Sequence, residues 1–304
     1  MIKLDGVAAF AAIADAGSIS EAARRLSLSK SVVSERLVEL ERSLGAHLVQ
    51  RTTRKMSLTE DGLAFLERAR RIMRDATEAA AEIAERRGAL VGPLRMSAPV
   101  SFGCLHLGPA LYRFLAGNPG IELTLDLEDR FVDVEADGYD AVIRHGPIRD
   151  NRLVAQRLAS SRRVLVASPA YLAAHGKPTS LGGLEDQRAI VYTNREADWR
   201  FLGPDGATVI RPATSLRVNN GLMMRDAAVA GLGITLLPIF MIQPELGRGS
   251  LVTLDVGREA EGAEIYVAYP VGRGASAKLR ALIEFLRQAF GDPPYWETGS
   301  NAPL

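Results

Sequence analysis

The first 45 residues carry a dense run of helix start and stop signals, which restricts this region to a small helical arrangement. Apolar residues recur at helical spacing over positions 4–14, and Gly17 follows as a residue that readily adopts the helix C-cap conformation. Ser18 and Glu21 form the pattern of a capping box, in which each side chain binds the other's backbone N–H. The sequence therefore predicts a second, short helix directly after the first.

A third helix is predicted between Ser29, whose hydroxyl suits an N-cap, and Gly45, which ends it. Four apolar side chains fall on one face of this helix: Val33, Leu37, Leu40 and Leu44. The opposite face is polar and begins with short side chains. Two helices joined by a tight turn of small residues are typical of helix-turn-helix motifs, whose second helix enters the major groove of DNA.

The start of the third helix has the size and polarity that base recognition requires. Ser31, Ser34 and Glu35 are short enough to let the helix approach base edges. Lys30 is long enough to reach a phosphate or a guanine. This end of the helix is therefore the candidate base-reading surface.

Two short strands are predicted at 48–50 and 56–58, and they enclose a basic loop. Arg51, Arg54 and Lys55 place three cations near the tip of this hairpin. Cations there have little use in folding, whereas contact with phosphates or the minor groove uses them directly. The sequence thus predicts a basic wing.

The formal net charge of +1 conceals a local asymmetry. Between Arg24 and Lys55 the chain has eight Arg and Lys against three Glu, so this segment is net +5 and the rest is net −4. Phosphate binding is driven by local cation density and counterion release, so the asymmetry favours contact with nucleic acid. A solvated basic surface is the alternative that charge alone leaves open.

A known family has the same ordered set of short motifs in this region. The residues that carry the resemblance are Gly17-Ser18, Ala22-Ala23-Arg24-Arg25-Leu26, Ser29, Val33-Ser34, Leu40-Glu41, Leu44-Gly45, Leu48, Arg51, Arg54 and Leu58-Thr59. Each piece alone would be a weak signal, but together, and in this order, they resemble LysR-type transcriptional regulators.

The resemblance implies a winged helix-turn-helix in which the third helix contacts bases and the wing contacts phosphates. The expected DNA-binding residues are Ser29, Lys30, Ser31, Ser34, Glu35, Arg51, Thr53, Arg54 and Lys55. Lys30 stands where glutamine is common in the family, and Glu35 where a basic or amide residue is common. We expect the operator to differ accordingly, because Glu35 can accept from cytosine and repels a nearby phosphate.

A long helix is predicted over 60–88, capped by Thr59. Its apolar positions alternate spacings of three and four, as in a coiled coil: Leu66, Ala69, Met73, Ala76, Ala80 and Ile83. At 1.5 Å per residue this helix would extend about 40 Å, a length with no core of its own to lie on. Packing on its own domain is one alternative, whereas the resemblance implies pairing between subunits of a homodimer or homotetramer.

From residue 91 onward, short strand patterns alternate with helical ones, which is typical of α/β layers built on mainly parallel sheets. The expected fold class is therefore α plus α/β. The expected domains are a winged helix-turn-helix at 1–59, a linker helix at 60–88 and an effector-binding domain at 91–304.

The resemblance also implies that the third domain is similar to periplasmic binding proteins, with a ligand cleft between two lobes. We expect lobe 1 at about 91–160 and 270–292, and lobe 2 at about 164–266. The chain is then expected to cross between the lobes near 160–163 and again near 266–270.

Effector-binding candidates lie where strands lead into helices, because free N–H groups at helix N-termini attract carboxylates. Pro99, Val100 and Ser101 occupy one such junction. Asn219 and Asn220 occupy another, just before an apparent helix.

Arg144 and His145 end a further strand, where a cation would complement an anionic effector. An ion pair of Arg144 with Asp137 or Asp140 is an equal alternative. Trp199 could stack on an aromatic ligand, although a buried packing role is favoured.

Catalysis finds little support in the sequence. The four histidines lack metal-ligand spacing, and no serine elbow or phosphate-cradling loop is present. Cys104 lies near His106, but residues so close in sequence rarely form a nucleophile and base, so a packing cysteine, or at most a redox sensor, is preferred. We expect no enzyme, no metal and no cofactor.

The expected function is a ligand-responsive transcription regulator. Its expected partners are double-stranded DNA and a small or aromatic organic acid, with RNA polymerase as a further candidate. The single cysteine, the short apolar runs and the lack of a signal-peptide pattern favour the cytoplasm and no membrane. Two alternatives stay open: a solute-binding or transport-accessory protein, and an α/β enzyme, each with a helical dimerisation module.

Overall fold

The computed structural model of the protein describes residues 1–51, 56–85, 89–194, 199–204, 206–262, 264–271 and 275–299. The chain divides into two compact units, Met1–Gly92 and Pro93–Leu304. Within the described residues, no helix has both the length and the apolar character needed to cross a bilayer.

The first unit begins with three helices: α1 Leu4–Ala16, α2 Ile19–Arg25 and α3 Lys30–Leu44. Gly17 and Gly45 end α1 and α3 with φ angles of 67° and 69°. This is the left-handed conformation that glycine adopts without steric cost. The predicted helix boundaries are therefore confirmed.

Serine hydroxyls cap the second and third helices, as predicted. The hydroxyl of Ser18 accepts from the backbone N–H of Glu21, and that of Ser29 accepts from Val32. The second half of the predicted capping box takes a different form, because the Glu21 carboxylate accepts from Arg24 and Arg25. These cations hold the pKa of Glu21 at about 2, chiefly through the hydrogen bond from Arg24.

Two strands and a long helix complete the unit: β1 Val49–Arg51, β2 Met56–Leu58 and α4 Glu60–Glu85. The strands are antiparallel, with Val49 opposite Leu58. The first strand lies one residue later than the predicted 48–50. The last three residues of the predicted linker helix, 86–88, lie outside the described residues.

Two hydrogen-bonding side chains tie the hairpin to its neighbouring helices. The Glu41 carboxylate accepts from the backbone N–H of Leu48 at 2.7 Å. The Thr59 hydroxyl donates to the carbonyl of His47 at 2.6 Å and accepts from the N–H of Gly62 at 2.9 Å, which caps α4 as predicted. The base of the hairpin is thus fixed to α3 on one side and α4 on the other.

One apolar core joins α1, α3 and the first half of α4. Its buried members include Val7, Phe10, Ile13, Val33, Leu37, Leu40 and Ala69, with Leu66 and Met73 packed against them. Ile72 and Ile83 of α4 stay 40% and 60% exposed. The first half of α4 therefore lies on its own unit, whereas Ile83 near the end of the helix faces solvent.

The second unit contains two five-stranded sheets. In chain order its elements are β3 Gly92–Ala98, α5 Val100–Phe102, α6 Gly108–Gly117, β4 Ile121–Leu127, β5 Ala141–His145, β6 Leu153–Ala159, β7 Arg163–Ala167, α7 Pro169–His175, β8 Arg188–Tyr192, β9 Arg200–Gly203, β10 Gly206–Val209, β11 Ala213–Val218, α8 Gly221–Val229, β12 Ile234–Pro238, α9 Gln243–Arg248, β13 Val252–Leu254, β14 Ile265–Pro270, α10 Ala277–Phe290 and α11 Tyr295–Thr298. A π-helical turn, Gly103–Leu107, connects α5 to α6.

Each sheet forms one lobe. Lobe 1 has the strand order β4-β3-β5-β14-β6, and lobe 2 has the order β11-β8-β12-β7-β13. Parallel pairing holds for β3 with β5 and for β8 with β11 and β12. The strands that enter a lobe from the other lobe, β7 and β14, run antiparallel to both neighbours, so the sheets are mixed rather than mainly parallel.

The second crossing between lobes differs from the predicted position near 266–270. Strand β14 begins at Ile265 and lies wholly in lobe 1, between β5 and β6. Lobe 1 therefore resumes at or before Ile265, and the return crossing precedes that strand. The first crossing, between β6 and β7, falls at 160–162, close to the predicted 160–163.

Candidate DNA-contacting surface and effector cleft

The start of α3 presents an exposed polar surface. Ser29, Lys30, Ser31 and Glu35 are exposed, and Ser34 is partly exposed. The Ser29 hydroxyl lies 2.8 Å from that of Ser31 while it caps the helix at Val32. The structure thus brings together all five DNA-binding candidates predicted on this helix.

A tight turn sets this surface against α2. Ser27 has a φ of 53°, an uncommon conformation for a residue with a side chain. The backbone N–H of Leu28 donates to the carbonyl of Ala23 at 2.9 Å, which closes the turn. The angle between the two helices is therefore fixed by the backbone.

Ion pairs neutralise part of the charge on α3. Glu39 accepts from Lys3 at 2.9 Å, and Arg36 lies 3.0 Å from Asp5. Among the residues that the structure describes, Lys30 and Glu35 form no ion pair. The two positions that depart from the family pattern are thus the charged groups on this surface that are available to a partner.

The predicted wing contacts fall outside the part of the chain that can be described. Thr53, Arg54 and Lys55 lie beyond the described residues, and for Arg51 only the backbone is described. The strands on both sides of them are paired in register. These four residues remain predictions.

The second unit holds a cavity of about 560 Å³ between its two lobes. Four of the predicted effector residues line it: Pro99, Ser101, Arg144 and His145. Ser101 is only 2% exposed. Its hydroxyl has no hydrogen-bond partner within the described ranges, and it faces the lobe 2 residue Gly221, where a Cβ would lie 3.3 Å from Ser101 Oγ.

The other four predicted residues do not line this cavity, and three of them have structural roles. Val100 uses its backbone N–H to bind Asp129 Oδ1 at 3.1 Å. Trp199 is 2% exposed in the core of lobe 2, which agrees with the packing alternative. Asn219 is exposed, and the side chain of Asn220 caps α8 by accepting from Leu222 and Met223.

Arg144 is one of four arginines that line the cavity among the described residues. Its Nη2 donates to Ser97 Oγ at 2.8 Å and its Nη1 to the carbonyl of Ile143 at 2.8 Å. Burial lowers the pKa of this guanidinium, against the opposing attraction of Glu128 and Asp129. Neither of the ion pairs considered for it forms in the described residues, where the Asp140 carboxylate accepts from the backbone N–H of Arg95 and the Asp137 carboxylate from that of Asp133.

Arg95 contacts three acidic residues beside Arg144. Its backbone N–H donates to Asp140 Oδ2 at 2.7 Å, and its Nη1 donates to the carbonyl of Asp137 at 2.9 Å. A third bond runs from Nη2 to Asp126 at 2.9 Å. Arg144 is thereby left to face the cavity.

Several lining residues escaped the sequence reasoning, including Asp129, Phe131, Arg163, Tyr192, Asn194 and Met241. Burial raises the pKa of Asp129. The Asn194 side chain donates to the carbonyl of Asp129 at 3.0 Å, which joins lobe 2 to lobe 1 at the cavity. Polar residues just after a strand, such as Asn194 after β8, were the signal available.

Two smaller points concern predicted chemistry. Cys104 is exposed on the π-helical turn, so the preferred packing role is wrong: Gly103 and Leu107 take the inward positions there. Within the described residues, no group of three or more His, Cys, Asp or Glu side chains is arranged to hold a metal ion.

Comparison with known proteins matches both units. Residues 4–63 match the model of the bacterial regulatory helix-turn-helix protein, lysR family, and residues 87–291 match the LysR substrate binding domain. The HTH-type transcriptional regulator PtxR of Pseudomonas aeruginosa is 33% identical over 298 residues, covering 97% of this chain and 95% of that protein.

Two full-length structures are also similar. One is AphB, a virulence activator of Vibrio cholerae, with a TM-score of 0.60 and 27% identity over 93% of this chain and 98% of that one. The other is CrgA, a LysR-type regulator of Neisseria meningitidis, with a TM-score of 0.59 and 28% identity. The match covers 93% of this chain and 97% of that one.

Proposed function

The chain belongs to the LysR family of transcriptional regulators, and from that premise we propose that it binds operator DNA through the start of α3 and the loop between β1 and β2. The observation that carries the proposal is the exposed, hydroxyl-rich first turn of α3, held by the Ser29 cap. A helix of this kind fits the major groove, where its first turns reach base edges.

The loop supplies the phosphate contacts in this proposal. Glu41 and Thr59 fix the base of the hairpin to α3 and α4, so the strands that lead into the loop have a set position relative to the base-reading surface. Each phosphate contact releases counterions, and affinity then falls as salt rises.

A gel-shift assay with the DNA upstream of the protein's own gene tests this role. Replacing Arg51, Arg54 and Lys55 together by Ala should weaken binding strongly and reduce the salt dependence by about three ion equivalents. Replacing Arg188, Arg211 and Arg258 by Ala removes the same charge from exposed positions of the second unit and serves as the control. Equal losses in both variants would contradict the wing contacts.

Base reading by the two unusual residues has a separate test. Replacing Glu35 by Gln, or Lys30 by Gln, should change which operator bases are preferred, at about 1–3 kcal/mol for the base concerned. The measurement is a selection from randomised duplexes, with Glu39→Gln, whose carboxylate is paired with Lys3, as the control. An unchanged preference would remove both residues from the base-reading set.

For the effector, we propose a small or aromatic organic acid bound in the cavity between the lobes. A volume of about 560 Å³ suits such a molecule. Arg144 supplies a cation, Ser101 an uncommitted hydroxyl, and apolar residues such as Val142 and Met224 supply contact area.

Thermal-shift measurements with pairs of carboxylic acids and their amides test the charge preference. An acid that binds should raise the melting temperature and its amide should not, because only the acid complements Arg144. Replacing Arg144 by Gln should abolish the shift, whereas Arg157→Gln, a surface substitution outside the cavity, should retain it. Equal stabilisation by acid and amide would exclude an anionic effector.

We also propose that α4 pairs with α4 of a second copy, giving a dimer or tetramer that acts on bacterial DNA in the cytoplasm, with RNA polymerase as a further partner. The exposed apolar side chain of Ile83 supports this pairing. Ile83→Arg should lower the mass seen by analytical ultracentrifugation, whereas Leu202→Arg, at an exposed position of β9, should not. Unchanged assembly would place the interface elsewhere.

A further inference from the structure

The chain continues beyond the matched family module, which ends at residue 291. Helix α11 follows, and its Trp296 is only 1% exposed. The segment 292–299 is called the strap below.

Trp296 packs against aromatic rings from both lobes. In lobe 1 its ring centroid lies 4.8 Å from His106 and 5.3 Å from Phe290. In lobe 2 it lies 6.2 Å from Phe240. Its indole N–H donates to the carbonyl of Ser160, in the first crossing, at 3.1 Å. One side chain thus contacts both lobes and the segment that connects them.

Polar bonds fasten the strap on the lobe 2 side and at the crossing. The Gln243 side chain of α9 donates to the carbonyl of Trp296 at 2.6 Å. The Glu297 carboxylate accepts from the backbone N–H of Arg162 at 2.6 Å and from its Nε at 2.7 Å. A bidentate contact of this kind fixes orientation as well as distance.

Two hydrogen bonds of the His106 ring also link the lobes. One ring nitrogen lies 2.5 Å from the hydroxyl of Tyr295, and the other lies 3.1 Å from the carbonyl of Phe240. A neutral imidazole with Nε2–H donating to the carbonyl and Nδ1 accepting from the tyrosine satisfies both bonds. Lobe 1, the strap and lobe 2 are therefore linked through one ring.

We propose that the strap sets the angle between the two lobes, with Trp296 as its positioning residue. Lobe closure is a hinge motion about the crossings. The strap binds the crossing at Ser160 and Arg162 and both flanking lobes, so it limits the angles that the hinge can reach. This inference rests on the effector-binding function proposed above. In that function, the restraint sets the difference in lobe angle between the free protein and its closed state.

Distance measurement between spin labels on the two lobes tests the proposal in the full chain. The labels go on Glu122→Cys in β4 and Glu185→Cys in lobe 2, both exposed positions, after Cys104→Ser removes the native thiol. With the strap intact we expect one narrow distribution of distances. Trp296→Ala should broaden it about twofold or add a second distance.

Trp199→Ala is the matched control, because Trp199 is the other tryptophan of the chain and is equally buried, but in the core of lobe 2. It should lower the melting temperature without broadening the distribution. An unchanged distribution in Trp296→Ala, or equal broadening in Trp199→Ala, overturns the proposal.

A milder variant covers the case in which Trp296→Ala fails to fold. Glu297→Gln keeps the shape of the side chain and weakens the contact with Arg162, and it should broaden the distribution to a smaller degree. No broadening in a folded Glu297→Gln protein then overturns the proposal. The measurement uses neither DNA nor effector, so its outcome is separate from that of the proposed function.

Discussion

Gly62 offers a sharp test of how the wing is held, since a single methyl group at this position meets backbone rather than a movable side chain. A Cβ built on Gly62 would lie 2.0 Å from the carbonyl oxygen of Leu48, and real Cβ atoms keep at least 3.0 Å from such a neighbour. In Gly62→Ala the start of α4 and Leu48, the residue before strand β1, must therefore separate by about 1 Å. That movement strains the hydrogen bond from the N–H of Thr59 to Leu48, now 3.1 Å long.

The expected cost follows from three effects. Overpacking against fixed backbone costs about 1–3 kcal/mol, and a weakened backbone hydrogen bond costs about 1 kcal/mol. Alanine is favoured over glycine in a helix by about 1 kcal/mol, which offsets part of this. We expect the free energy of unfolding of the first unit to fall by about 2 kcal/mol.

Hydrogen exchange in the full chain measures this loss locally. Amides of Phe10 and Leu37, in the core of the first unit, should lose about 30-fold in protection, because 1.4 kcal/mol corresponds to tenfold. The affinity for DNA should fall together with this loss of stability.

The control is the same substitution at Gly247, a helical glycine in α9 with nothing within 4 Å of the added Cβ. Gly247→Ala should leave stability unchanged or raise it by up to about 1 kcal/mol. If amide protection in Gly62→Ala is unchanged or increased, then the close approach of α4 to Leu48 is not what fixes the wing.

Two further predictions concern a cap and a titrating group. Ser29→Ala removes the acceptor for the N–H of Val32, so it should lower the free energy of unfolding by about 1 kcal/mol and weaken DNA binding. Urea unfolding measures this loss, with Ser20→Ala at an exposed position as the control. Equal losses in the two variants would refute the cap. Burial lowers the pKa of His106 below 6.5 in the folded protein. The unfolded chain then binds more protons below that pH, so stability should be full above about pH 6.5 and fall as the pH drops towards the folded pKa. Melting temperatures at about pH 7.5 and 5.5 should show this fall, reduced in His106→Gln; an equal slope in both proteins would contradict it.

The parts of the fold that were predicted correctly depend on local signals. The bounds of α3 follow from Ser29, Gly45 and the spacing of apolar residues, all within one helix. The place of β14 inside the lobe 1 sheet was not predicted, because its partners β5 and β6 lie more than 100 residues earlier in the chain. Local sequence patterns do not indicate which distant strands pair with each other.

Prediction of the residues that line the cavity has the same limit. Pro99 and Ser101 were predicted from a single strand-to-helix junction, which is a local feature. Asn220 matched that signal equally well but uses its side chain as a helix cap, and Trp199 is apolar enough for either a core or a ligand site. Which of these groups meets the cavity depends on how distant strands assemble.

The position of β14 also bears on how the protein folds as it leaves the ribosome. The strands of lobe 2 all lie between Arg163 and Leu254, so this lobe can assemble before the chain reaches β14. Lobe 1 begins earlier in the chain, yet its sheet lacks an inner strand until Pro270 has been synthesised. Domains generally form in the order of translation, but here the lobe that starts first is completed last. Until β14 is made, β5 is paired only with β3 and β6 lacks its sheet neighbour, so these two strands are the nascent surfaces most in need of protection from aggregation.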